Sequence, residues 1–435
     1  RIRWSNATRR RFETELLPEG EVVYHFWVEA FEGSWQEGLR VFFQKRFLYD
    51  LDSFDSSLFD RPDLKWIQKS YVIHLLMAWD QRWLRSAGGS SPSPIRQSGL
   101  YGGDDALGIW PTWPTLGIDE RNQFDLFSDL PGGLPALRQR ADALRQKGTR
   151  FFICYNPWDE STRDAQQPEA HLTQLSRLIE ATSADGVVLD TRGSSSRELQ
   201  EAADRVKKGV VMYSEGMAVP KDMPGIVAGR VHNALYYPPL LNLNKFIKPD
   251  FAIFRVAEQF KERIRREFAV SFFNGHGVEL NVFQAGTPEW VEEEYRFLGK
   301  TTRILRENAD VFLQKTYTPL IPTTRDGIYA NRWQDSTKTL YTLFSLLPEG
   351  FKGPLFEVTP REGYHFVDLW NHRELQPRLL AGKWYIEAEL EAFSKHDLGT
   401  NNEGAVGCIA QLPKVFSIQI TQGNCMGSLA PHQVV

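Results

Sequence analysis

The chain has 435 residues, 42% hydrophobic and 24% charged, with a formal net charge of −4. Such a composition fits a soluble globular protein larger than one ordinary domain. The near-neutral balance, without a long Lys/Arg run, argues against nucleic acid as a partner. No apolar run reaches the roughly 18 residues of a membrane-crossing helix. No signal peptide is visible, so no membrane partner is expected and the cytoplasm is the default compartment. The three cysteines, Cys154, Cys408 and Cys425, are odd in number and widely spaced. They suit neither a disulfide framework nor a cysteine-type zinc site.

In chain order, residues 1–64 hold a strand-like run, Glu21–Glu29, which is either the remnant of a preceding β-domain or a strand capping the next domain. A helix is expected over Gly33–Phe47, where Trp35, Leu39, Phe42, Phe43 and Phe47 share a face. From residue 65 short apolar runs alternate with helical segments. Tyr71–Asp80, Ala106–Pro111 and Thr149–Tyr155 read as the first three strands. Asp185–Asp190 and Gly209–Glu215 read as the fourth and fifth. Leu134–Lys147, His171–Thr182 and Glu198–Lys207 are the helices among them. Gly225–His232, Glu267–Phe273 and Val278–Phe283 are expected as strands six to eight, and Trp290–Phe312 as a long helix. Buried parallel strands have this continuous apolar character. The span 65–316 is close to the roughly 250 residues of a closed (β/α)8 barrel. Over 317–435 the pattern changes to short, closely spaced strands, including Gly327–Trp333, Lys338–Phe344 and Tyr364–Trp370, which indicates an antiparallel β-sandwich.

In an α/β barrel the C-terminal strand ends carry the chemistry. Asp190 and Glu215 each end a strand, and the two strands are adjacent. Two carboxylates across a cleft are the minimal machinery for glycosidic bond cleavage. Asp190 is the candidate nucleophile. Glu215 is the candidate acid/base, because the Met-Tyr-Ser approach would partly desolvate it and raise its pKa. The competing view makes Asp190 a turn-ordering residue and pairs Glu215 with Arg192 or Arg230.

This order of carboxylates resembles the α-amylase and α-galactosidase type of barrel glycosidase. In those, a nucleophilic Asp ends the fourth strand, and in the α-amylase type an acid/base Glu ends the fifth. The resemblance implies a following β-sandwich and an α-linked substrate. Val188 stands where the α-amylase type carries an arginine two residues before its nucleophile.

Further candidates for sugar contacts are Asp80, Asp104, Asp105 and Asp159, as carboxylates at strand tips or adjoining loops. Trp110, Trp113 and Trp158 would supply stacking faces. His232, Asn233 and His276 would end later strands, and Arg192 would hold Asp190 ionised. His74, inside an apolar run, is expected in the core. No His-x-His marks the first strand, so neither a metal nor a cofactor is implied. The expected activity is therefore a retaining glycoside hydrolase on an oligosaccharide or glycoside. An inverting enzyme with another carboxylate as base, and a non-catalytic carbohydrate-binding barrel, are the alternatives.

Overall fold

The computed structural model describes residues 18–45 except Val22, 55–80, Trp83, 97–112, 121–159, Thr162, 170–216, 222–232, 241–258, Arg263, 265–282, 289–394, 404–421 and 424–429, with backbone alone after Lys414. Strands β1 (Val72–Met77), β2 (Ala106–Trp110), β3 (Arg150–Tyr155), β4 (Gly186–Leu189), β5 (Val211–Ser214), β6 (Ala228–Val231), β7 (Ala252–Glu258) and β8 (Gly277–Val282) close into a barrel. Every neighbouring pair is parallel, and β8 pairs with β1 to complete the ring. Helices α1 (Trp35–Lys45), α2 (Gln123–Ser128), α3 (Gly133–Gln146), α4 (Ala170–Thr182), α5 (Arg197–Asp204), α6 (Arg265–Phe273) and α7 (Val291–Glu307) accompany the strands.

Helices α3 and α4 form where the sequence offers one apolar stripe. In α3, Leu137, Ala141 and Leu144 are buried; in α4, Leu172, Leu175, Leu178 and Ile179. Asn122 and Asp125 make a reciprocal capping box at the start of α2, and Ser196 accepts the Leu199 N–H at the start of α5. The strands β1, β2, β4, β5 and β6 are buried along their whole length, as they must be between a filled lumen and a helical shell.

Two expectations fail. Glu267–Phe273 is not a strand but most of α6, which is buried from Arg266 to Phe273 and so shows no helical period in its sequence. The seventh strand is instead Ala252–Glu258. The run Glu21–Glu29 joins no sheet among the described residues, and its Phe26 and Val28 are 85% and 95% exposed.

Alternate residues along the strands face the lumen, which fills in levels. The lowest holds Phe152 and Phe254 beside Gly186 and Gly277, where a Cβ would stand 2.4 Å and 2.6 Å from those rings. Above them Cys154 and Val188 pair on β3 and β4, Val188 pairs with Tyr213 of β5, and side-chain bonds bring Tyr213 and Arg230 together on Glu279. The uppermost, at the C-terminal mouth, holds Asp190, Glu215, His232, Glu258 and Asn281.

Beyond α7 come β9 (Ile328–Gln334), β10 (Thr339–Ser345), β11 (Phe351–Glu357), β12 (Tyr364–Asp368), β13 (Arg373–Leu375), β14 (Arg378–Leu380), β15 (Lys383–Leu390) and β16 (Ala405–Pro413). They form an antiparallel five-stranded sheet, β13-β12-β16-β10-β9, and a three-stranded sheet, β11-β15-β14. Ile328, Leu343, Phe356, Ile386 and Ile409 fill the space between the two sheets, making a β-sandwich. The outer face of the larger sheet packs on the barrel: Trp333, Leu340 and Phe344 meet Phe272 and Phe273 of α6. A last hairpin pairs β17 (Val415–Thr421) with β18 (Asn424–Leu429). Among the described residues no helix is long and apolar enough to cross a membrane.

Candidate active site

Asp190 and Glu215 extend the ladders of β4 and β5 by one residue. The Asp190 N–H donates to Tyr155 O at 2.9 Å and the Glu215 N–H to Leu189 O at 3.1 Å. That fixes both backbones at the mouth with their side chains on the lumen side. The two carboxyls interact, each shifting the other's titration. Neighbouring carboxyls resist ionising together, so the pKa of one rises.

The surroundings decide which one. Asp190 is buried and accepts the Trp158 indole N–H at 2.6 Å. Burial first, then the bond to Glu215, pushes its carboxyl up to about 7, against the pull of Trp158. Burial would raise Glu215 too. The hydrogen bond to Asp190, the Arg230 charge and the Thr191 backbone N–H outweigh it and hold Glu215 below its ordinary value. The expectation that desolvation would raise Glu215 is therefore corrected. Arg230 reaches its carboxylate at 2.5 Å, and Asp190 is the member that keeps the proton. Thr191 makes its contribution from a left-handed backbone, φ 57°. That conformation is costly for a β-branched residue.

His232 Nε2 lies 3.8 Å from Glu215 Oε1. Burial and then the Arg230 charge lower its pKa, so it faces the pair as a neutral imidazole. Asp80 is buried in the turn after β1, where its N–H donates to Met77 O. Trp110 ends β2 inside the lumen, with the Arg230 guanidinium 5.8 Å from its ring centre. Arg192 is exposed, and the contact expected of it is made by Trp158. Trp113 and Asn233 lie outside the described residues.

Four candidates belong elsewhere. Asp104 and Asp105 precede β2, so they sit at the N-terminal floor of the barrel rather than at a strand tip. Asp105 accepts the Tyr71 and Val72 N–H groups at 2.7 Å and 2.8 Å and pairs with Arg306. Asp104 accepts the Tyr101 hydroxyl and lies 3.6 Å from His74, a core residue. His276 precedes β8, also at the floor, and burial together with Lys245 and Arg255 keeps it neutral. Asp159 does follow β3 but is fully buried, turned to the Gln123 N–H at the start of α2 at 2.9 Å.

The residues that sequence reasoning left out are Tyr213, Glu258, Glu279 and Asn281. Glu258 was concealed because β7 was misplaced; its carboxylate acts on His232. Glu279 and Asn281 alternate along β8 with apolar neighbours, and that period of two is the signal that would have found them.

No family model matches the chain, and no curated protein sequence matches it. Solved structures do resemble it. An α-amylase from Anoxybacillus has a TM-score of 0.53 at 11% identity, covering 80% of this chain and 99% of that one. An α-amylase from Geobacillus thermoleovorans has 0.51 at 12%, covering 79% and 98%. A cyclomaltodextrinase has 0.52 at 12%, covering 79% of each chain. At these identities the likeness is one of fold: the chain has the barrel-plus-sandwich architecture of α-amylase-type proteins.

Proposed function

We propose that this chain is a glycoside hydrolase acting on an α-linked oligosaccharide or glycoside, with Asp190 and Glu215 as its two carboxyl groups. The observation that carries this reading is the pair itself: carboxyls on adjacent strand tips at the mouth of a closed barrel, with titrations pushed in opposite directions. Glycoside cleavage needs one ionised and one protonated carboxyl at the same bond. Residues 65–316 would be the catalytic barrel, with 1–64 leading into it and 317–435 as the accompanying sandwich. Among the similar structures, the Geobacillus α-amylase holds acarbose and another, AmyP, holds maltose. These support an oligosaccharide ligand for the same mouth.

In the retaining scheme Asp190 attacks the anomeric carbon while Glu215 protonates the leaving oxygen. Glu215 then activates the water that releases the sugar with its configuration kept. The free protein stores the proton on the other partner. A sugar entering between the two side chains replaces their mutual interaction, and the proton passes to Glu215 as the pair separates to the roughly 5–5.5 Å of a retaining site.

The test is hydrolysis of α- and β-linked aryl glycosides by the wild type, Asp190→Ala and Glu215→Ala, each with and without azide. Wild-type turnover, lost in both variants, supports the pair. Azide restoring Asp190→Ala through a glycosyl azide of inverted anomeric configuration supports Asp190 as nucleophile. The same product from Glu215→Ala would reverse the two roles. A wild type that binds oligosaccharide but cleaves none would leave a binding barrel.

A further inference from the structure

Barrel lumens are filled mainly by branched apolar side chains, yet the level beneath the carboxyl pair here is ionic. Arg230 is 3% exposed. Its Nη2 meets Glu215 Oε1 at 2.5 Å, its Nη1 donates to Glu279 Oε1 at 2.6 Å, and its Nε donates to the Glu215 carbonyl at 3.2 Å. Glu279, fully buried on β8, also accepts the Tyr213 hydroxyl at 2.5 Å. Tyr213 is wedged edge-on between Phe152 and Phe254, which keeps its hydroxyl on Glu279. The guanidinium is thus anchored from below and touches one member of the pair.

We infer that Arg230, anchored by Glu279 and Tyr213, is a positioning residue that keeps Glu215 as the carboxylate of the pair and leaves the proton on Asp190. The catalytic consequence rests on the glycosidase reading; the proton's location does not. The charges around the pair fit. Two acidic side chains, Glu215 and Glu279, already share the one guanidinium, and a charge on Asp190 would stand beside that of Glu215. The other groups facing Arg230 and the pair do not compensate. Cys154 on β3 is kept a thiol by burial, and His232 beyond β6 is kept neutral. Glu258 on β7 is a further acid. Met77 on β1 and Trp110 on β2 bring no charge.

The experiment follows the C=O stretch of the protonated buried carboxyl in the free protein by infrared difference spectroscopy against pH. Asp190→Asn identifies the band. The pH profile of kcat/KM is measured beside it on any aryl glycoside the wild type cleaves. In the wild type the Asp190 band should persist to about pH 7. Arg230→Met should let the proton move toward Glu215 and raise the acid limb of kcat/KM by about 1–3 pH units. Glu279→Gln keeps a partner for Tyr213 and Arg230 while removing the opposing charge, so it should move the acid limb and the Asp190 band down. Arg230→Lys should recover part of the Arg230→Met shift. Opposite signs in the two variants distinguish positioning from general loosening, and if Arg230→Met does not fold, Glu279→Gln carries the test. Bands that stay put in folded variants, or shift the same way in both, overturn the inference. Bands that shift as expected in a protein that cleaves no glycoside would sink the proposed function and leave this inference standing.

Discussion

Asp185 and Asp190 flank the same strand, β4, and their surroundings are opposite. Asp185, at the floor, accepts the Phe151 N–H at 3.0 Å and Lys207 Nζ at 2.8 Å, with Arg145 and Arg150 at 3.5 Å. Burial opposes its charge, but Lys207 and the Phe151 amide prevail and its pKa is lowered. Asp105 repeats the device one strand pair away, taking the amides at the start of β1. Asp190, at the mouth, has one indole N–H and a second carboxyl, and its pKa rises. A floor carboxylate saturated with donors ties strand starts together. A mouth carboxyl short of donors keeps a proton that it can give away. Burial is similar in the two cases, so donor count is what sends the two pKa values in opposite directions.

The largest expected effect is at the mouth. Asp190→Asn and Glu215→Gln should each lower kcat by at least about 10²–10⁴-fold, Asp190→Asn with no loss of melting temperature, since it removes a crowded acid, and Glu215→Gln with some loss, since it takes a charge partner from buried Arg230. A melting temperature that falls with activity in Asp190→Asn would erase the contrast. Next, Asp185→Ala should cost about 3 kcal/mol in denaturant unfolding, because it strands a buried amide and Lys207. Its kcat per folded molecule should stay near wild type. Loss of kcat without loss of stability would mean the floor is not merely structural.

The two ends should also answer pH with opposite sign. Asp190 has a raised folded-state pKa, so its share of stability is present below its unfolded value near 4 and is lost as pH rises to about 7. Asp185 has a lowered one, so its share is present above about 4 and is lost as pH falls through the folded value. Melting curves of Asp190→Asn should therefore flatten the decline between about pH 4 and 7, and those of Asp185→Asn the acid-side decline. Parallel curves would refute the distinction. The smallest effect is Thr191→Gly. Relief of the left-handed backbone is worth about 1–2 kcal/mol, offset by about 0.5–1 from glycine's greater unfolded freedom. A rise of under about 1 kcal/mol in unfolding free energy is expected. A loss would show that the Thr191 side chain does something its exposure does not suggest.

The first five strands were legible because each is a short apolar run between turn residues, and the pair at the ends of β4 and β5 came with them. The later barrel was not. The buried helix Arg265–Phe273 and the strand Ala252–Glu258 are both short, largely apolar runs with few polar residues, and such runs carry no period to tell them apart. Asp104, Asp105 and His276 were placed at the wrong end because a polar residue beside a strand does not say which side of it faces the mouth. The carboxyl pair needs only neighbouring strands, whereas Arg230 and Tyr213 meet Glu279 across 49 and 66 residues through closure of the ring. No local pattern encodes that meeting.

The sandwich also reaches the barrel in a way that bears on the order of synthesis. Asn331 Nδ2 and Thr342 Oγ1 both donate to Phe273 O at 2.9 Å, from 58 and 69 residues further along the chain. Gly275, at φ 65°, turns the chain there against Phe312 and Trp333, and β8 begins two residues later. A ribosome that has just made the closing strand has not yet made the groups that hold its start. A chain released at residue 316 would leave Phe272, Phe273 and Phe312 open to water. The barrel should therefore settle only after the sandwich emerges, and the nascent chain would depend on chaperones over that interval.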